Sequence, residues 1–234
     1  MGEEVERADE RLLRVLESAA RLQEIVPDAV LVGGSAAAMY AGHRISLDHD
    51  HVLKDLADRF EMVLDALERE PDWVTNRVTP GKVILGKLGD IEAGVRQLIR
   101  KVPLETQEVS LPSGNHVVAP TPEETIRIKA FLIVKRNQVR DYLDVAALAD
   151  RYGVEKAART LAYIDSYYAD EIRDGVPVAT QVARQLAAPR PADKRALASY
   201  KGLDPRWQDW KAVTKMCRAV AAHMLDDDHG SEEP

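Results

Sequence analysis

Leu31-Val32-Gly33-Gly34-Ser35, followed after twelve residues by Asp48-His49-Asp50, is the stretch whose reading decides the fold. Ala29-Val30-Leu31-Val32 is a short apolar run closed by two glycines, the pattern of a buried strand. Residues 35–41 are rich in Ala and suit a short helix with Ser35 near its N-terminus, and Gly42 stops it. Residues 45–52 read as a second strand. Alternate side chains of a strand face the same way. Ser46, Asp48 and Asp50 therefore share one face, and Ile45, Leu47, His49 and His51 the other. Two carboxylates about 7 Å apart along a strand can bridge metal ions ~3.5–4 Å apart. Magnesium is the natural guest, because it is hard, takes oxygen ligands and rides on nucleotide phosphates. The backbone amides of the glycine turn, the Ser35 hydroxyl and the helix N-terminus behind it can receive those phosphates.

Outward from this stretch, residues 4–25 read as an amphipathic helix, with Leu12, Leu13, Val15, Leu16, Ala19 and Leu22 at helical spacing. Residues 55–68 suit a helix stopped before Pro71. Strands are expected at 73–78 and 82–88, joined by Thr79-Pro80-Gly81, and at 91–95. A hairpin is expected at 109–111 and 116–119 around Pro112-Ser113-Gly114-Asn115. Thr121-Pro122-Glu123-Glu124 is a helix start, with a capping residue, Pro at the first helical position and an acid completing a capping box. One or two helices cover 124–152, ending at Gly153, and others follow at 154–168, 178–186 and 207–224. The expected class is α+β: a core of mixed sheet and flanking helices over 1–120, a helical part over 121–225, and an acidic disordered tail over 226–234.

The chain has 234 residues, 45% hydrophobic and 30% charged, as a globular protein has. No apolar run approaches the ~20 residues of a membrane helix, and the acidic N-terminus argues against a secretory signal. One cysteine, Cys217, excludes an internal disulfide and fits the cytoplasm; its place in an apolar helical stretch suits a small core residue. The net charge of −7 argues against a protein that coats nucleic acid nonspecifically. Residues 94–140, however, hold eight Lys/Arg against four Glu, and a local basic surface is expected there. Trp73, Trp207 and Trp210 suit core or helix-packing positions better than base-stacking platforms.

A hydrophobic residue, Gly-Ser, a spacer and Asp-x-Asp resemble the defining motif of the DNA polymerase β-like nucleotidyltransferases. More narrowly, Leu31 to Ser35, then Gly42-His43-Arg44-Ile45-Ser46-Leu47-Asp48-His49-Asp50, resemble the abortive-infection AbiEii-type nucleotidyltransferases, which include MenT-like toxins. Ile128-Lys129-Ala130 with Arg140-Asp141-Tyr142-Leu143-Asp144-Val145 resembles that family's second signature. The resemblance covers roughly residues 28–150; His49 and His51 depart from it, standing where apolar residues are usual.

The resemblance implies a magnesium-dependent transfer of a nucleotide from a nucleoside triphosphate to an acceptor hydroxyl. It also implies a toxin role opposed by an antitoxin protein, with RNA, such as a tRNA 3′ end, as acceptor. Asp48 and Asp50 would hold the metal, with a third acid from Glu92 or, less favoured, Asp90. Gly34, Ser35, Ser46 and Arg140 would contact the nucleotide, and Lys129 its phosphate charge. Asp144 would be the acid of the second signature, with Asp141 as the alternative. Ser46 corresponds to a position that an antitoxin phosphorylates in related toxins. If 124–150 were one helix, Lys129, Arg136, Arg140 and Asp144 would fall within an arc of ~80°; a break at Asn137-Gln138 would release that geometry. Arg96 and Arg100 could also reach phosphates. Two other classes remain open: a binding module that has lost its chemistry, and a transferase acting on a small molecule. A zinc site on His43, His49 and His51 is disfavoured, since the last two face away from the aspartates and no Cys lies near.

Overall fold

In the computed structural model, residues 2–172, 175–193 and 197–229 are described. Helix α1 (Gly2–Ile25) buries Val15, Leu16, Ala19, Ala20 and Leu22 at the spacing read from the sequence. After it come β1 (Val30–Val32), α2 (Gly33–Ala41), β2 (Asp48–Leu53), α3 (Phe60–Glu68), β3 (Trp73–Thr79), β4 (Val83–Leu88) and β5 (Ile91–Gln97). The five strands form one mixed sheet in the order β1-β2-β5-β4-β3. Only β2 and β5 run parallel. A hairpin of β6 (Thr106–Ser110) and β7 (His116–Pro120) forms a second, two-stranded sheet.

One core cluster joins Leu22 and Val26, at the end of α1 and just past it, to Phe60, Val63 and Leu67 of α3 and to Leu53, Trp73, Ile84 and Val95 of the sheet. A second joins Leu16, Ala19 and Ala20 of α1 to Leu31, Ala36, and Leu111, Val117 and Ala119 of the hairpin region. Each fully buried aliphatic side chain of this kind contributes about 1.5–3 kcal/mol. Along β2, exposure alternates: His49, His51 and Leu53 are buried while the residues between them are not. The burial therefore lies on one face of β2 and leaves its other face open.

Two elements beside the aspartates start later than expected. The strand begins at Asp48, so Ser46 precedes β2 instead of lying within it. The helix expected from 55 starts only at Phe60, because residues 54–58 turn first, with Asp58 and Arg59 amides donating to the Asp55 carbonyl.

The helical part consists of α4 (Pro122–Arg136), α5 (Val139–Tyr152), α6 (Val154–Ala162), α7 (Asp165–Tyr168), α8 (Val178–Ala187) and α9 (Trp210–His229). Its interior holds Ile126, Phe131, Ile133, Tyr142, Leu143, Leu148, Leu161, Val182 and Val213. The stretch 124–152 is two helices, not one. Asn137 stands between them at φ 51°, a left-handed conformation that Asn tolerates better than most residues. Its side chain donates to the Arg190 carbonyl at 2.8 Å and accepts from the Tyr142 hydroxyl at 2.6 Å. The backbone of 226–229, expected as the start of a disordered tail, is the last turn of α9, and residues 230–234 lie outside those described.

The chain divides into two units: Met1–Met39 with Ile45–Thr121, and Tyr40–Arg44 with Pro122–Pro234. Tyr40–Arg44, read from the sequence as part of the core, belongs with the helical unit. There Tyr40 packs edge-on against Tyr152, and the His43 carbonyl accepts from the Asp204 amide.

Candidate active site

In the first unit the carboxylates are placed by β2. Asp48 is exposed and Asp50 half-buried, both on the face turned away from α1. On the opposite face, His49 Nε2 lies 3.0 Å from Ser18 Oγ, and the two imidazoles meet edge to face at 5.2 Å. Burial pushes His49 down to about 4 and His51 well below the ordinary histidine range. Both are neutral packing residues at neutral pH.

Three features shape the carboxylate face. Ser46 Oγ donates to Asp48 Oδ1 at 2.9 Å and so orients it from outside the strand. Ser35, buried, donates its hydroxyl to the Asp48 carbonyl and fastens the first turn of α2 to β2. Gly94 leaves room for Asp50, and Gly33 turns the chain beside it in a left-handed conformation. Gly33 has φ +79°, and a Cβ there would lie 3.5 Å from Asp50 Oδ2. A Cβ on Gly94, the register partner of Asp50 on β5, would lie 2.9 Å from Asp50 Oδ1. Gly94 was not among the residues singled out from the sequence; a glycine inside a strand is the signal of such a close approach.

Glu92 is the register partner of Asp48, so in this parallel pair it lies on the same sheet face. Asp90 sits in the turn before β5. No three His, Cys, Asp or Glu side chains among the described residues are gathered closely enough to cage an ion. The donor set is two hard carboxylates with an exposed acid beside them. That suits an octahedral ion that keeps water and takes substrate phosphate oxygens for the rest of its shell. Arg96 donates to Asp50 Oδ1 at 3.2 Å and is half-exposed. Arg100 is not a phosphate ligand: it is buried, and its guanidinium donates to the Val102 and Pro103 carbonyls at 2.8 Å.

In the second unit one carboxylate collects three partners. Asp144, fully buried on α5, takes Lys129 Nζ at 2.6 Å, Arg44 Nε at 2.8 Å and His43 Nε2 at 2.8 Å. Burial alone would raise its pKa. The charges of Arg44 and then Lys129, with the His43 hydrogen bond, outweigh burial and hold it well below the ordinary carboxylate range. Burial lowers His43 against the pull of Asp144. A neutral His43 beside an ionised Asp144 must donate from Nε2, since the carboxylate only accepts. Lys129, expected on phosphate, is thus buried and spent on Asp144. Asp141, the alternative acid, is held by Arg136 through two bonds of 2.7 Å. The break at Asn137 overturns the single arc of Lys129, Arg136, Arg140 and Asp144. Only Arg140 and Asp144 keep their one-turn spacing on α5. Arg140 is half-buried, with Nε unpartnered among the described residues. Arg44, which the sequence did not single out, is buried and needs a counter-charge there, and Asp144 supplies one.

A family model described as "Nucleotidyl transferase AbiEii toxin, Type IV TA system" matches residues 14–223. The chain belongs to the AbiEii family. The family's description is of nucleotidyl transferase toxins of type IV toxin–antitoxin systems. Among solved structures, MenT4, a nucleotidyltransferase toxin of Mycobacterium tuberculosis, has the same fold at a TM-score of 0.63 and 17% identity, covering 92% of this chain and 83% of that one. A Helicobacter pylori protein assigned as a nucleotidyltransferase gives a TM-score of 0.51 at 15% identity, covering 94% and 96%. The curated relatives are long proteins. The heme uptake protein MmpL11 of Mycobacterium tuberculosis is 32% identical over 244 residues, which is 94% of this AbiEii chain and 23% of that protein. The mycolic acid-containing lipids exporter MmpL11 of Mycolicibacterium smegmatis is 38% identical over 128 residues, 55% and 13% respectively. The chain therefore spans under a quarter of the length of these relatives.

Proposed function

We propose that this AbiEii protein uses magnesium to transfer a nucleoside monophosphate from a nucleoside triphosphate to a hydroxyl of RNA, with a tRNA 3′ end as the acceptor. The observation that supports the metal and nucleotide parts is the pair Asp48 and Asp50, on one face of β2, with Gly94 leaving room beside Asp50. When bound there, the ion would draw charge from the triphosphate and from the departing pyrophosphate. Asp48, oriented by Ser46, and Asp50 would hold it, with Glu92 as a third acid beside Asp48. The amides around Gly34, at the start of α2, would receive a phosphate. Arg96 would leave Asp50 for phosphate once the carboxylate has a metal. In the second unit Lys129 and Arg44 hold Asp144, two cations on one carboxylate, and Arg140 one turn away adds a third positive charge. Arg140, whose Nε is unpartnered among the described residues, would contact the nucleotide.

The RNA acceptor rests on family likeness, and the chain matches too small a part of the heme uptake and lipid export proteins for those activities to apply to it. No helix among the described residues is long and apolar enough to cross a membrane. Incubation of the pure protein with magnesium, each labelled triphosphate and total RNA tests the reading. Label should pass to RNA, and Asp48→Asn with Asp50→Asn should abolish transfer. Label on a small molecule alone would move the acceptor to the antibiotic-type class. Nucleotide binding without pyrophosphate release would leave a binding module.

A further inference from the structure

The basic segment at residues 94–140 keeps little charge for a partner. Arg96 lies on Asp50, Arg100 on two carbonyls, Arg127 on Glu124, Lys129 on Asp144, Lys135 on Glu171 and Arg136 on Asp141. A more basic stretch lies further on. Residues 184–218 hold nine Lys/Arg against three Asp, a net of +6 in a chain of net −7, so the remainder carries −13.

Within the helical unit part of this stretch lines an open cleft of about 490 Å³: Pro189, Trp210, Lys211, Thr214, Lys215 and Arg218. The three cations stand at i, i+4 and i+7 of α9, within an arc of ~60° and spaced ~6 Å and ~4.5 Å along the axis. Lys211 and Lys215 are exposed and make no ion pair with the described residues. Arg218 is tethered through Nε to the Ala187 carbonyl at 3.3 Å. Trp210, expected only to pack, does pack edge-on against Tyr142, and it also walls the cleft.

We propose that this cleft binds a single-stranded segment of the acceptor RNA, with Lys211, Lys215 and Arg218 on successive phosphates and Trp210 against a base. The proposal rests on the RNA reading above and adds where the RNA docks. A row of cations beside an aromatic wall is the combination that single strands use, charge for the backbone and a ring for the bases. An acidic protein segment would use the cations and leave the indole without a role.

The test is the affinity of the full chain for a fluorescent single-stranded RNA, read by anisotropy from 50 to 200 mM salt, for the parent and for Lys211→Ala/Lys215→Ala. Both lysines are exposed on a helix, and Ala keeps helix propensity; a thermal melt checks folding. A second variant, Trp210→Phe, keeps an aromatic wall. The double variant should bind roughly tenfold more weakly at 50 mM salt, and its log–log salt slope should fall by about 2. Trp210→Phe should keep most of the affinity. If parent and double variant bind RNA alike, the cleft assignment fails while the RNA reading stands. If the parent binds no RNA, both fail. If polyglutamate displaces the RNA as well as unlabelled RNA does, the cleft is a bare polyanion site and the assignment to RNA is overturned.

Discussion

At the scale of single residues, the Asp50 and Asp144 carboxylates are held in opposite ways. Asp50 is held by space. A methyl at Gly94 would stand 2.9 Å from both Asp50 Oδ1 and Leu85 Cδ2, so Gly94→Ala must push the carboxylate or the leucine aside. Overpacking of this kind costs about 1–3 kcal/mol, and a shift of ~1 Å in a positioning group can cost 10²-fold in rate. Nucleotidyl transfer should therefore fall about 10²-fold while the melting temperature drops by only a few degrees; unchanged transfer would show that Asp50 need not stand where it does. Asp144 is held by charge. Asp144→Asn leaves Lys129 buried without its counter-charge and should cost about 3–5 kcal/mol in urea unfolding. Lys129→Met leaves Asp144 with Arg44 and His43 and should cost roughly half as much or less. Equal losses would mean that the three partners do not act on one carboxylate.

At the scale of elements, the strands and helices that bury one face were legible because their apolar spacing is strong. β2 shows it best: the alternation of Asp48 and Asp50 with His49 and His51 could be read before any coordinates, and so could the side on which the histidines pack. Three things were hidden. Ser46 keeps company with Asp48 through a side-chain bond rather than through strand alternation. Lys129 carries no sequence mark of being buried, since its partner Asp144 lies on the next helix and Arg44, which shares that acid, lies far from both along the chain. The break between α4 and α5 depends on Asn137, whose left-handed backbone is supported by contacts with Arg190 and Tyr142 that are invisible locally. That break is testable. Asn137→Ala should destabilise by about 2–4 kcal/mol, from the left-handed conformation and two lost side-chain bonds. Asn137→Gly restores the conformation alone and should recover about 1 kcal/mol of it in denaturant titrations. A Gly variant no better than Ala would place the whole cost in the hydrogen bonds.

At the scale of the whole molecule, the buried histidines are shared unequally: His49 and His51 lie in the first unit and His43 in the second. Burial depresses all three. Below the ordinary histidine pKa near 6.5 the unfolded chain binds protons that the folded chain refuses. Their stabilisation is complete above ~7 and is lost as pH falls from 6.5 toward the folded values. His49 alone, at about 4 when folded, accounts for roughly 3 kcal/mol across that window. Asp144 acts lower. Its depressed carboxyl stabilises above the ordinary carboxylate pKa near 3.8, and that contribution fades only as pH drops further. Acid should therefore weaken the first unit before the second, with about two protons taken up against one. Trp73 reports on the first unit, and Trp207 and Trp210 on the second, so variants keeping only one reporter set can follow each in urea from pH 7.5 to 4.5. The midpoint followed by Trp73 should fall about twice as steeply between pH 6.5 and 5, and His51→Leu should bring the two slopes together. Parallel slopes in the parent would mean that the units unfold as one, or that the β2 histidines take protons in the folded state.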